Sequence, residues 1–163
     1  MSGPKNIIIE PAVTGDLAAV ASLFRAYAAS LPVDLAYQGF EAELACLPGK
    51  YAPPSGALLV AKAEDGTVLG CIALRALDTN GVAEMKRLYV APAGRGLGLG
   101  RRLVEAAVAE AQRIGYRELW LDTLPTMTEA IALYGRCGFE PMAPYYQTPV
   151  AGTRFMRRVL VGP

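Results

Sequence analysis

Residues 84–100 read EMKRLYVAPAGRGLGLG and run straight into RRLVEAAVAEAQRI at 101–114. A strand rich in large apolar side chains stops at Ala91-Pro92, a glycine-dense turn follows, and an amphipathic helix begins. That order gathers several backbone N–H groups and the positive end of a helix dipole in one spot. Such a spot holds phosphate-like anions without any particular side chain.

Outward from the turn, the helix places Leu99, Leu103, Val104, Ala107, Val108 and Ala111 on one face and closes at Gly115. ELWLDT at 118–123 reads as a buried strand, so a strand-helix-strand unit predicts a parallel neighbour through a right-handed crossover. Upstream, ALLVAKA at 57–63 and VLGCIALRAL at 68–77 flank Asp65-Gly66, a strong hairpin signal. DTNG at 78–81 turns the chain again into the strand that feeds the glycines, completing a three-strand meander.

Nearer the N-terminus, NIIIE at 6–10 predicts a first strand, and Thr14 is placed to cap a helix carrying Leu17, Val20, Leu23, Phe24 and Tyr27. Phe40, Leu44 and Leu47 predict a second helix over 34–47, and Pro53-Pro54 forces 50–56 into a loop. TMTEAIALYGRC at 126–137 predicts a helix capped by Thr126 and stopped at Gly138; a proline-flanked loop over 144–152 and a last strand over 153–161 follow. The sum is an α/β fold of one domain, 1–163, on a mixed, mostly antiparallel twisted sheet flanked by helices.

Composition narrows the function. The chain of 163 residues is 53% hydrophobic and 19% charged with a net charge of +1, which points away from nucleic acid and anionic membrane as partners. Cys46, Cys71 and Cys137 suit a reduced, cytoplasmic interior better than a disulfide framework. The absence of histidine removes Ser-His-Asp, Cys-His and His-containing zinc sites, and no metal is expected.

The glycine turn fails two common nucleotide patterns. G-x-G-x-x-G from Gly96 would need glycine where Arg101 stands, and no G-K-S or G-K-T is present for a P-loop. What fits is R-x-x-G-x-G, with Arg95, Gly98 and Gly100 in place behind Leu88-Tyr89-Val90. With LYVAP before it and ALYGRCGF at 132–139 after it, the chain resembles the GNAT superfamily of N-acetyltransferases over nearly its whole length.

That resemblance implies acetyl-CoA as cofactor, with Arg95, Gly96, Leu97, Gly98, Leu99, Gly100 and Arg101 around its diphosphate. It also implies that the pantetheine arm lies beside Leu88, Tyr89 and Val90, with Leu133 and Arg136 nearby. Met127 stands where many members of that family carry asparagine, so a cofactor contact made by that amide is lost or is supplied by Thr126 or Thr128. By the same resemblance Tyr134 protonates the departing thiolate, and Glu84 serves as base, with Asp122 as second choice. Read without it, Tyr134 is a packing residue and Glu84 a strand carboxylate paired with Lys86, Arg87 or Arg75.

The resemblance also implies an acceptor pocket between the first two helices and the loop before the last strand, with Tyr37, Gln38 and Phe40 on one side and Tyr145, Tyr146 and Gln147 on the other. Lys86 and Arg87 beside Glu84 point to a small-molecule amine that also carries a carboxylate, such as an amino acid or its derivative. The alternatives are a non-catalytic acyl-CoA sensor or partner-binding module of the same fold, or acyl transfer to a protein amine or to oxygen. A homodimer paired through TRFMRRVLV at 153–161 is a further expectation.

Overall fold

The computed structural model describes residues 6–160. Seven strands form one sheet in the order β1-β2-β3-β4-β5-β7-β6. They are β1 (Ile8–Pro11), β2 (Ala57–Lys62), β3 (Val68–Ala76), β4 (Val82–Val90), β5 (Glu118–Thr123), β6 (Glu140–Pro141) and β7 (Arg154–Val159). Every neighbouring pair is antiparallel except β4 with β5, the pair joined by the glycine turn and helix. The helices are α1 (Leu17–Ala29), α2 (Phe40–Ala45), α3 (Leu99–Ile114) and α4 (Thr128–Arg136).

The sheet buries both faces. One packs Ile72, Leu74, Met85, Leu119 and Leu121 against the apolar stripe of α3. The other packs Val60, Cys71 and Ala73 against Val20, Phe24, Phe40 and Leu44 from α1 and α2. Strands between two helical layers are apolar on both sides, which is why β2 and β3 read as nearly unbroken hydrophobic runs.

Local chemistry shifts several expected boundaries. Thr14 does not cap α1: the chain enters through a short 3-10 turn at Thr14–Asp16, and Asp16 Oδ2 accepts the Val13 N–H at 2.9 Å. The expected helix over 34–47 splits into a 3-10 turn, Leu35–Gln38, and α2, because Gly39 between them is left-handed at φ 70°. Thr126 is not the α4 cap either; that position is Met127, whose side chain offers no acceptor. Residue 161, where the sequence ends the last strand, lies outside the described residues. β7 is covered on both sides, by β5 and by the two-residue β6, so the pairing edge expected of it is only partly open.

Two features of β4 position the site. It pairs with β5 only over Val82–Glu84, opposite Glu118–Trp120, and beyond that the strands part. Against β3, Cys71 lies opposite Tyr89 and Ala73 opposite Lys86, so three steps on β4 match two on β3. This bulge falls at Arg87, a non-glycine residue held at φ 62°.

Candidate active site

The bulge decides which side chains meet. Glu84 and Leu88, four apart, would share a sheet face in a regular strand. Here Leu88 and Val90 pack on the α3 side, while Tyr89 and the Glu43-paired Arg87 lie on the α1–α2 side with Glu84 and Lys86. Leu88 and Val90 are thereby turned to the face opposite Glu84 and Lys86.

Along the glycine turn runs a groove of about 640 Å³, walled by Leu88, Tyr89, Val90, Arg95, Leu133 and Arg136, with Gly96, Gly98, Leu99 and Gly100 at its floor. Gly96 and Gly98 have φ of 81° and 72°, and a Cβ on either would meet nothing within 4 Å, so the space beside the backbone is open. α3 begins at Gly98 with no side-chain cap, and its first backbone bond runs from Arg102 N–H to Gly98 O. The amides of residues 96–101 have no backbone partner among the described residues and converge at the positive end of a sixteen-residue helix. That donor set fits a diphosphate.

The named side chains differ in placement. Arg95 lies back over the Tyr89 ring, 5.9 Å from its centroid, with Nε donating to Val90 O at 3.2 Å. Arg101 is exposed, paired with Glu105 at 3.0 Å, and lies outside the groove wall, as does Leu97 at the crest of the turn. Thr126 is also exposed and away from the groove, and Met127 takes the position instead.

Where β4 and β5 part, a narrow neck leads from the groove. Tyr27, Leu88 and Met127 border both spaces, and Tyr134 and Asp122 line the neck itself. Tyr134 is buried, edge-on to Phe139 at 6.0 Å, and its hydroxyl has no hydrogen bond among the described residues. Burial pushes its phenol well above the usual range, so it stays protonated.

Beyond the neck lies a cleft of about 370 Å³, sharing Tyr37, Gln38 and Lys86 with it and adding Lys50, Arg75 and Trp120. Tyr145, Tyr146 and Gln147 close the other side, as their loop position suggested. Glu84, 1% exposed, accepts Arg75 Nε at 2.8 Å and the Tyr145 hydroxyl at 2.6 Å. Tyr146 donates to Asp122 Oδ2, and Lys86 Nζ lies 3.7 Å from both Glu84 and Asp122. Burial alone would raise the Glu84 carboxyl, but Lys86, Tyr145 and Arg75 together bring it below the usual range. It is a firmly ionised group with both oxygens engaged.

Two expected acceptor-side residues are occupied elsewhere. Arg87 is buried at 3%, bidentate to Glu43 at 2.8 and 3.0 Å, and stacked over Phe40 at 5.3 Å. Phe40 itself belongs to the core beneath it. Sequence reasoning assigned no role to Lys50, Trp120 or Glu43, and took Arg75 only as a partner for Glu84. The Arg75 placement was recoverable, because folding the hairpin about residues 78–81 sets Arg75 directly opposite Glu84.

Comparison with known proteins identifies the family and the fold. An N-acetyltransferase of uncharacterized role from Schizosaccharomyces pombe is 40% identical over 158 residues, covering 96% of this chain and 97% of its own. A GNAT-family acetyltransferase structure from Staphylococcus aureus superimposes with a TM-score of 0.80 at 19% identity, over 96% of this chain and 100% of that one. A Salmonella typhimurium structure containing acetyl-CoA, given as its cofactor, gives 0.70 at 23% identity, over 98% and 96%. The family profile described as Acetyltransferase (GNAT) family matches residues 20–139, from within α1 through the glycine turn to Phe139. With the parted strands, the uncapped glycine turn and a close relative all in register, the chain belongs to the GNAT acetyltransferase family.

Proposed function

We propose that the protein transfers the acetyl group of acetyl-CoA directly to the primary amine of a small molecule that also carries a carboxylate. The observation that carries this is the continuity of three spaces: a groove with free amides, a neck with Tyr134 and Asp122, and a cleft with polar walls. When bound, acetyl-CoA supplies an activated thioester. The amides of residues 96–101 hold its diphosphate, and the Leu88 and Val90 backbone lies beside its arm, Val90 O being released when Arg95 turns outward.

On the acceptor side, an amine arriving as its ammonium must lose a proton before its lone pair can attack. Glu84 and Asp122, bridged by Lys86, form the acidic pair that receives the amine's proton through water or the tyrosine hydroxyls. Tyr134, its hydroxyl free and protonated, donates to the departing sulfur. Proximity along the neck supplies most of the acceleration, and no acyl-enzyme is involved; Cys71 is fully buried with its thiol pushed up to about 12 by burial. The same reading places the protein in the cytoplasm, with all three cysteines free. No helix among the described residues is long and apolar enough to cross a membrane.

The test is thiol release from acetyl-CoA across a panel of amines and amino acids. Saturable, acceptor-dependent release supports the reading. Saturable cofactor binding without release for any acceptor would replace it with a non-catalytic acyl-CoA sensor, and release only with alcohols or with peptide amines would redirect it to those acceptors.

A further inference from the structure

The buried polar groups of the acceptor cleft are unevenly satisfied. Every deep carboxylate already has its partners: Glu84 holds Arg75, Lys86 and Tyr145; Asp122 holds Lys86 and Tyr146; Glu43 holds Arg87 and Lys50. The one remaining carboxylate, Asp78, stands at the exposed mouth. Arg75, by contrast, uses only Nε, and its two terminal nitrogens have no partner among the described residues. Lys50 also lines the cleft, with a single ion pair, to Glu43 at 3.3 Å, and its ammonium over the Tyr51 ring at 5.4 Å. Burial lowers the Lys50 ammonium from its ordinary value, Glu43 offsets part of this, and Lys86 and Arg75 add to the lowering, so these cations share one positive field.

At the opposite end the imbalance is reversed. Gln38 lines both cleft and neck, its Nε2 donates to the Tyr37 hydroxyl at 3.0 Å, and its Oε1 is buried without a partner. Buried polar atoms in folded proteins are nearly always paired, so an orphan in a passage marks a place for ligand.

We infer that the acceptor binds in one polarity, its carboxylate on the free guanidinium edge of Arg75 with Lys50 beside it, and its amine against Gln38 Oε1 at the entrance to the neck. This rests on the proposed acetyl transfer and moves carboxylate recognition from Lys86 and Arg87 to Arg75 and Lys50. A guanidinium edge takes a planar carboxylate through two parallel hydrogen bonds, which favours a carboxylate over an uncharged amide. Gln38 then presents the amine lone pair toward the neck that Tyr134 lines.

Matched acceptors read this directly: phenylalanine, phenylalaninamide and phenethylamine, with 4-aminobutyrate against 4-aminobutanamide for a longer spacing. In at least one series, kcat/KM for the carboxylate should exceed that for its uncharged partners by about tenfold or more. Arg75→Gln should erase that preference with the KM for acetyl-CoA unchanged, while Gln38→Leu raises acceptor KM for charged and uncharged amines alike. Equal turnover of acids and their uncharged partners, or a preference that survives Arg75→Gln in a folded variant, overturns the inference. If no amine is acetylated, the acetyl-transfer reading fails and binding alone decides the carboxylate site. Trp120, the chain's single tryptophan, lines the cleft and reports binding by fluorescence. N-acetylphenylalanine should then give a saturable change that its amide lacks and that Arg75→Gln weakens, and the absence of that difference refutes the site.

Discussion

Glu43→Ala should destabilise the protein far more than an ordinary helix-surface substitution. The Glu43 side chain is 4% exposed and holds a guanidinium that is 2% exposed, through two hydrogen bonds of 2.8 and 3.0 Å. Burial pushes the Glu43 carboxyl up, but Arg87 and Lys50 outweigh it and bring the group below its usual range. Removing the carboxylate leaves Arg87 charged, buried and fixed over Phe40, and breaking such a pair from one side costs about 3–5 kcal/mol. The contact with Lys50, whose side chain is 38% exposed, adds under about 1 kcal/mol. Against a total stability of about 5–15 kcal/mol this is a large fraction, and for a chain of this size it lowers Tm by roughly 6–20 °C. Urea unfolding and thermal melts measure it, with Glu43→Gln as the milder control. The double variant Glu43→Leu/Arg87→Met removes both charges and should recover most of the loss. A Glu43→Ala cost below about 1 kcal/mol, or a double variant no better than the single one, would refute the claim that this pair ties α2 to the β4 bulge.

Tyr134→Phe should lower kcat by about a hundredfold or more with little change in the KM for acetyl-CoA, because only the hydroxyl in the neck is lost; steady-state kinetics with a retained kcat would show that Tyr134 only packs. Gly98→Ala places a side chain at φ 72°, costing about 1–2 kcal/mol in backbone conformation. Its Cβ would also stand in the open space over the amides, so the affinity for coenzyme A measured by calorimetry should fall beyond what the stability loss explains. Acid should unfold the protein in a defined window. Asp16, Glu43 and Glu84 all have folded-state carboxyls below their ordinary values, so their contribution is complete above about pH 4.5 and is lost as the pH falls through the lowered values. Tm should stay flat from about pH 7 to 5 and decline below about 4.5, and a decline that begins near neutrality would contradict the assignment.

The groove along the glycine turn was legible in the sequence because backbone makes it. Glycines at 96, 98 and 100, a strand before them and an apolar helical stripe after them require that turn wherever the rest of the chain goes, and the structure places the free amides there. The polar cleft was legible only as residue types. Tyr145, Tyr146 and Gln38 were found because a loop and a turn of this fold border the cleft. Arg75 and Lys50 sit on a strand and a 3-10 turn where sequence gives them no distinguishing mark, and their place in the cleft depends on register and on which partners saturate the nearby carboxylates. Thr14 and Thr126 misled for a related reason: each is a good capping residue whose place was taken by a neighbour, Asp16 in one case and the Met127 backbone in the other.

The bulge at Arg87 shows why a strand pattern alone could not have assigned the roles of 84–90. Regular alternation sends Lys86 and Arg87 to opposite faces and puts Glu84 with Leu88. One extra residue reverses both statements: Lys86 and Arg87 lie on the α1–α2 face together, and Leu88 turns to the α3 face. The left-handed backbone this demands of an arginine costs about 1 kcal/mol or more, and the bidentate Glu43 pair and the Phe40 ring are what hold it. The ion pair that secures the bulge also ties α2 to β4 next to Lys86, which regular alternation already places on the Glu84 face. A variant that loosens Arg87 should disturb the acceptor KM more than the acetyl-CoA KM, although Arg87 touches neither ligand in this scheme.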